Sequence, residues 1–257
     1  MNLVYLYLIA PLHTGGSTQE GNLLGIARES HTELPYIPSS TIRGRLRATA
    51  EETIRPLLFG TDLKDGELEQ GDIWIGDGSI LWIPVPSLSH GVVWVTCPML
   101  LRRWQRLSGG SDTIPAEYST SITGGQSIYL KDAILKDSHL TMGQDFTPFL
   151  PSAGQEVEID RGVVLPDRHC ATLIQMSLWR QVKIKLDETK TVDGGFRYEE
   201  AIPPDTLMYF PWGVTSKAKG SADSSQESFR TLLNQASLLQ IGGQESLGRG
   251  FVQHWLA

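Results

Sequence analysis

The sequence predicts an α+β fold of the ferredoxin-like, or RRM-like, kind: a βαββαβ order carrying a long insertion. Three observations predict it. An apolar strand, Leu3 to Ile9, precedes an amphipathic helix that starts at Ser39. Two strands, Ser79 to Val85 and Gly91 to Thr96, come next. Far along the chain, a helix from Phe229 to Leu239 leads into a last strand, Phe251 to Leu256. That fold hosts many functions, so function has to be read from particular residues.

Leu3 to Ile9 is a continuous apolar run with two tyrosines, closed by Pro11, as expected of a strand buried on both faces. Leu12 to about Pro38 is rich in Gly, Ser and Thr and reads as a long loop, a kind of segment that is commonly functional. From Ser39, the residues Ile42, Leu46, Ala50, Thr53 and Leu57 recur at helical spacing. Ser39, Ser40 and Thr41 supply hydroxyl caps, and Pro56 sets the helix end near Arg55. Thr61 to Asp77 carries Asp62, Asp65, Glu67, Glu69, Asp72 and Asp77 against Lys64, and reads as a solvated acidic connector. Pro98 opens a helix from Met99 to Leu107. Ser108 to Asp167 is irregular, with a strand expected around Ser127 to Leu135. Leu178 to Asp187 and Phe196 to Glu200 form a hairpin about Asp193-Gly194-Gly195, without an evident partner strand. A polar run, Ser216 to Ser228, precedes the last helix, and a glycine-rich turn, Ile241 to Gly250, precedes the last strand.

The 257 residues are 40% hydrophobic and 20% charged, ordinary for a globular protein and enough for a sizeable core without staples. Cys97 and Cys170 are too few for a disulfide framework and read as reduced core thiols in a cytoplasmic protein. The apolar opening, Met1 to Ala10, lacks a basic flank and a cleavage site and is too short to span a membrane. A net charge of −7 argues against indiscriminate binding to polyanions, so a nucleic-acid site must be local. None of the histidines stands at zinc spacing, and no cofactor motif is present.

Three segments could carry chemistry. In Pro38-Ser39-Ser40-Thr41-Ile42-Arg43-Gly44-Arg45-Leu46-Arg47, a helix start with hydroxyl donors suits a phosphate, with Arg43 and Arg47 one turn apart. Gly44 costs ~1 kcal/mol relative to Ala inside a helix, which suggests close approach of another group. A capped helix with a solvated basic face explains the same residues. In Ile241 to Gly250, the glycines Gly242, Gly243, Gly248 and Gly250 either cradle phosphates or let two chains pack closely, and a plain tight turn explains them as well. In Val182 to Glu200, basic and apolar residues interleave, which suits a wedge between bases as well as an ordinary surface hairpin.

Taken in order, these pieces resemble the RAMP superfamily of CRISPR effector proteins, and within it the backbone (slicer-type) subunits of type III-B Cmr complexes. The residues that carry the resemblance are Pro11-Leu12-His13; Arg28 to Pro35; Ile37 to Gly44; Phe59-Gly60; Ile83 to Leu88 with Trp94 to Pro98; Thr189 to Pro203; and Gln240 to Gly250. The resemblance implies a palm over about 1–107 and 201–257, an insertion over about 108–181 and a thumb hairpin over about 182–200. It implies polymerisation along a guide CRISPR RNA, with target RNA, further copies of the chain and other type III effector subunits as partners. His13, Ser39, Ser40, Thr41, Arg43, Arg47, Gly242, Gly243, Gly248 and Arg249 would bind RNA. Lys190, Thr191, Val192 and Phe196 would belong to the thumb.

The resemblance also implies an aspartate in the loop after the first strand that cuts target RNA with a divalent metal. Here that position holds Leu23, with Gly25 and Ala27 replacing the family's Pro and Gln. Leucine neither binds a metal nor moves a proton, so cleavage is expected to be lost. Glu20 and Glu29 are the nearest carboxylates, and Mg²⁺ or another divalent metal is expected only if one of them substitutes. Metal-free RNA cleavage by His13 or His31 is a third reading.

Overall fold

The computed structural model describes residues 1–20, 22–61, 69–151, 157, 159–216, 218 and 221–257, with the backbone alone described for 16–20 and 193. The strands are β1 (Asn2–Leu8), β2 (Gly15–Glu20), β3 (Leu23–Ile26), β4 (Ile73–Ile75), β5 (Ser79–Ser87), β6 (Gly91–Thr96), β7 (Ser119–Thr120), β8 (Ile128–Tyr129), β9 (Ile134–Leu135), β10 (Gly162–Val164), β11 (Trp179–Leu186), β12 (Val192–Ala201), β13 (Leu207–Val214), β14 (Leu238–Gln240) and β15 (Phe251–Leu256). The helices are α1 (Ser39–Thr49), α2 (Arg55–Phe59), α3 (Pro98–Ser108), α4 (Asp167–Ser177) and α5 (Ala222–Asn234).

Among the described residues, the main sheet runs β14-β15-β1-β13-β5-β6-β10-β7, with β4 also pairing β13. A second sheet runs β11-β12-β3-β2, and β8 pairs β9 alone. The fold is α+β, built on one large sheet covered on both faces. Val4, Leu6 and Leu8 of β1 and Met208, Phe210 and Trp212 of β13 face the larger hydrophobic cluster, together with Ile42, Leu46 and Phe229 from the helices. Leu3, Tyr5, Leu207 and Tyr209 face the other, with Trp104 and Phe149. Strands wedged between two layers have no polar side, which explains the unbroken apolar run of β1.

Several expectations are corrected. The strand beside β1 is β13, which the sequence reading missed because Pro211 argues against a central strand. Pro211 is tolerated where the neighbour of β13 changes: β5 pairs Leu207 to Tyr209, β4 pairs Trp212 to Val214, and the Pro211 carbonyl accepts from Gly76 N at 2.8 Å. The segment expected as a loop, 12–38, holds β2 and β3. The first helix stops at Thr49, Ala50 is extended, and Pro56 lies in the first turn of α2. Thr53 is therefore exposed rather than part of the apolar stripe. Asp72 is not solvated: it is 1% exposed and accepts from Ser225 Oγ at 2.7 Å. The connector residues Asp62, Lys64, Asp65 and Glu67 lie outside the described residues. The expected strand near Ser127 to Leu135 is the short hairpin β8–β9. The last helix begins at Ala222 and ends at Asn234, with its Ser221 hydroxyl accepting from Ser224 N at 3.1 Å.

Candidate nucleic-acid interface

Alternation in the hairpin sequence sorts β11 and β12 into two faces. The cross-strand pairs Val182↔Tyr198, Ile184↔Phe196 and Leu186↔Val192 lie on one face. All six residues are 41–51% exposed, so about half of this apolar ladder is left open by the described residues. Phe196 and Tyr198 meet edge to face, with centroids 5.5 Å apart. The opposite face pairs Lys183 with Arg197. The hairpin turns at Asp187 to Thr191, not at the glycines: Asp187 Oδ1 accepts from Thr189 N (2.9 Å), Thr189 Oγ1 (2.8 Å) and Thr191 N (2.8 Å). Lys190 sits in the left-handed region at φ +62°. Gly194 and Gly195, at φ +78° and +90°, form a bulge opposite Lys185. Lys183, Lys185, Arg197 and the two glycines line a basin there, together with Ile184 and Phe196 of the ladder.

The hairpin is not alone, because β12 pairs in parallel with β3, setting Tyr198 beside Leu23 and Glu199 beside Leu24. At this root two carboxylates, each 1% exposed, gather cations. Glu200 lies 2.6 Å from Arg28 Nη2 and 2.9 Å from Arg180 Nη2. Glu199 lies 2.6 Å from Lys183 Nζ and 2.9 Å from Arg197 Nη2. Burial pushes the Glu199 pKa up, but Lys183, the Gln244 amide and Arg197 outweigh it and hold the group below the ordinary glutamate value. Arg249 lies over the Trp179 ring, 3.9 Å from its centroid, and donates to Gln181 Oε1 at 2.7 Å.

The glycine-rich loop packs closely on the segment after β1. Gly243 N donates to His13 O (3.0 Å) and Gly250 N to Pro11 O (2.9 Å). A Cβ on Gly242 would lie 2.4 Å from His13 O. His13 is buried, and its Nδ1–H donates to the Glu200 carbonyl at 2.8 Å. That contact fixes the ring and gives it a structural duty.

At the start of α1 the hydroxyls do not cap. Instead Asp77 Oδ1 accepts from Ser39 N at 2.7 Å, while the Thr41 and Ile42 amides reach Pro38 O at 2.9 and 3.3 Å. A carboxylate thus already occupies the helix end expected to take a phosphate. Ser40 is exposed and Thr41 half-buried there. Arg43 turns inward, donating to Phe59 O (2.6 Å) and Ile73 O (3.2 Å) over the Phe59 ring. Burial, and then the charge of Arg47, lower its pKa. A Cβ on Gly44 would meet nothing within 4 Å, so this helix face is open to a neighbour.

A family model described as the RAMP superfamily matches residues 5–253. The chain belongs to the RAMP superfamily. This RAMP protein is 32% identical to the CRISPR system Cmr endoribonuclease Cmr4 of Pyrococcus furiosus, over 98% of its own length and 94% of the relative's. It also superimposes on a crystal structure of oligomeric Cmr4 from Pyrococcus furiosus at a TM-score of 0.71 and 25% identity, covering 100% and 98% of the two chains. A cryo-EM structure of the type III-B Cmr-beta complex bound to cognate target RNA shares the fold at TM-score 0.80 and 20% identity, with 99% and 96% covered.

The described residues of this RAMP protein do not fit a divalent metal beside Leu23. Leu23 is half-buried and offers no donor, and the described residues include no group of three or more His, Cys, Asp or Glu side chains placed to hold a metal ion. Glu29 is committed elsewhere: Arg103 grips both its oxygens at 2.5 and 3.2 Å, and Thr32 and His31 lie against it. Burial raises the Glu29 pKa, but Arg103, Thr32 and His31 outweigh it and hold the carboxyl below its ordinary value. The backbone of Glu20 pairs with Leu23 across β2 and β3, and its side chain lies outside the described residues. The sequence reading missed Arg28, Arg180 and Trp179 as partners at the hairpin root. No local signal pairs them, because their partners Glu200 and Arg249 are distant in the sequence.

A lowered carboxylate pKa stabilises the fold above the unfolded value, about 4.3 for glutamate, and that stability is lost as pH falls through the folded value. Glu29→Gln is therefore expected to lower the melting temperature at pH 7 and to flatten the acid limb of stability against pH. Thermal melts from pH 7 to pH 3 check this; an unchanged acid limb would mean that the Arg103 pair carries no net stability.

Proposed function

We propose that this RAMP protein is an RNA-binding backbone subunit of a type III-B CRISPR effector complex, working in the cytoplasm. Copies polymerise along a guide CRISPR RNA together with other type III subunits, and the hairpin displaces bases of the guide–target duplex. The family, the near full-length Cmr4 relative and the described complexes of similar chains support the assembly. The observation that carries the RNA reading is the half-exposed ladder of Val182, Ile184, Leu186, Val192, Phe196 and Tyr198, backed by Lys183, Lys185 and Arg197. An apolar face that can enter a base stack, with cations behind it for phosphates, is what a wedge needs.

The β15-β1-β13-β5 part of the main sheet, antiparallel throughout, with α1 after β1 and α5 before the closing strands, supports a ferredoxin-like palm over about 1–107 and 201–257. The insertion then spans about 108–181 and the thumb about 182–200. The guide contacts are Ser39, Ser40, Thr41 and Arg47 near the open Gly44 face, with Gly248 and Arg249 beside the thumb root. His13, Arg43, Gly242 and Gly243 shape that surface from behind. Leu23 and the committed Glu29 support a subunit that holds target RNA without cutting it.

The test is target binding by the complex assembled with Ile184→Ser and Phe196→Ser. Stacking is worth about 1–3 kcal/mol per base, so about 10-fold or more of target affinity should go, while guide-dependent assembly persists. Parent protein that stays monomeric and ignores guide RNA across a salt series, where phosphate contacts must show a slope, refutes the reading.

A further inference from the structure

A cavity of about 330 Å³ lies between α4 and the β8–β9 hairpin. We propose that it receives an unstacked nucleobase of the bound RNA, an inference that rests on the RNA-binding reading above. Its volume falls within the ~300–1,000 Å³ range of ligand pockets.

The sequence builds it from one helical stripe, since His169, Thr172, Leu173 and Met176 of α4 recur at i, i+3, i+4 and i+7 and all line the space. Leu165 and Leu173 are buried and form an apolar floor. Tyr118 and His169 make a wall of rings: Tyr118 Oη lies 2.9 Å from His169 Nδ1, and the rings meet at 60° with centroids 6.3 Å apart. The hydrogen bond fixes the imidazole plane. Tyr118 is held at φ +62°, an unusual conformation for a tyrosine, by Tyr118 N→Val164 O (2.7 Å) and Thr141 N→Tyr118 O (2.9 Å). Ile134, 63% exposed, and Met176, 44% exposed, form an apolar lip.

The polar groups select the occupant. Asp132, Lys136 and His139 stand at the edge, so acceptor, cation and imidazole face the same opening. A free anion would meet Asp132, and a purely aliphatic occupant would make no use of the three edge groups. A flat heterocycle with an apolar face and donors and acceptors around its rim satisfies both parts. Position agrees with this. Two residues separate Met176 from the first residue of β11. One residue before Met176, Gln175 accepts from Arg28, which also holds Glu200 at the thumb root. α4 therefore borders both the cavity and the contacts that hold the thumb root, where the ladder begins.

The ligand chemistry could come from either strand, and photocrosslinking separates them. Complexes are assembled with 4-thiouridine placed singly along the target in one series and along the guide in another, and crosslinked peptides are mapped. The proposal expects crosslinks to Tyr118, His139 or His169 from discrete positions of one strand. It also expects exposed Thr172→Trp, which fills the space, to cut those crosslinks about tenfold. Under that variant, affinity for the strand concerned should fall several-fold while assembly is unchanged. His139→Ala, at an exposed position, should weaken the same crosslinks without filling anything. Crosslinks confined to Phe196 and Tyr198, or cavity crosslinks indifferent to Thr172→Trp, overturn the pocket and leave the RNA reading standing. A folded protein that binds no RNA overturns both.

Discussion

Complexes built with Leu23→Asp will cut target RNA in Mg²⁺ and stop in EDTA, while the parent leaves its target whole. Leu23 sits where β3 meets the thumb root, in register with Tyr198, whose amide reaches Asn22 O at 2.7 Å. On the reading proposed above, the backbone at Leu23 is anchored to the hairpin that displaces bases, and what is missing is the side-chain donor. A well-placed catalytic group contributes about 10²- to 10⁴-fold, so the gain should be plain on a gel. The half-buried position tolerates the carboxylate, and the variant should assemble. If an assembled Leu23→Asp complex leaves target intact, the Gly25 and Ala27 replacements have altered the path of the segment as well. If the parent itself cuts, the non-cleaving reading is wrong.

Gly250→Ala will unfold the region joining the two sheets, with a loss of at least about 3 kcal/mol in urea denaturation. Gly250 has φ +73°, and a Cβ there would stand 1.9 Å from Ile241 O. Both the backbone region and the space exclude a side chain. The loss would spread, because Gly250 N holds Pro11 O and the neighbouring Gly243 N holds His13 O. Gly44→Ala is the matched control: nothing lies within 4 Å of its added Cβ, and alanine is the better helix former by ~1 kcal/mol. That variant should be no less stable yet bind guide RNA more weakly. Equal stability of the Gly250 and Gly44 variants would contradict the packing described for the loop.

The strands β1, β5 and β6 and the helix α3 were legible because each signal is local: an unbroken apolar run, a proline at a first helical turn. The interleaving of Val182, Ile184 and Leu186 with Lys183 and Lys185 likewise revealed both faces of the hairpin. What stayed hidden depends on distant partners. Pro211 hid a central strand because its missing amide is harmless only where β5 gives way to β4. Arg43 read as a phosphate ligand because Phe59 O and Ile73 O, which claim it, are far away in sequence. Asp77 read as a solvated acid for the same reason, although it caps α1. The burial of Glu199 and Glu200 was hidden too, because it depends on β3 and on Gln244 of the glycine-rich loop.

Those two glutamates have a consequence for how the protein meets a polyanion. Arg28, Arg180, Lys183 and Arg197 share the two carboxylates, which cancel half of their charge before any RNA arrives. A string of such subunits therefore offers scattered points of attraction instead of a continuous cationic trough. Binding of this sort releases few counterions per subunit and gives little hold to stray cellular RNA, leaving shape and base pairing to choose the strand.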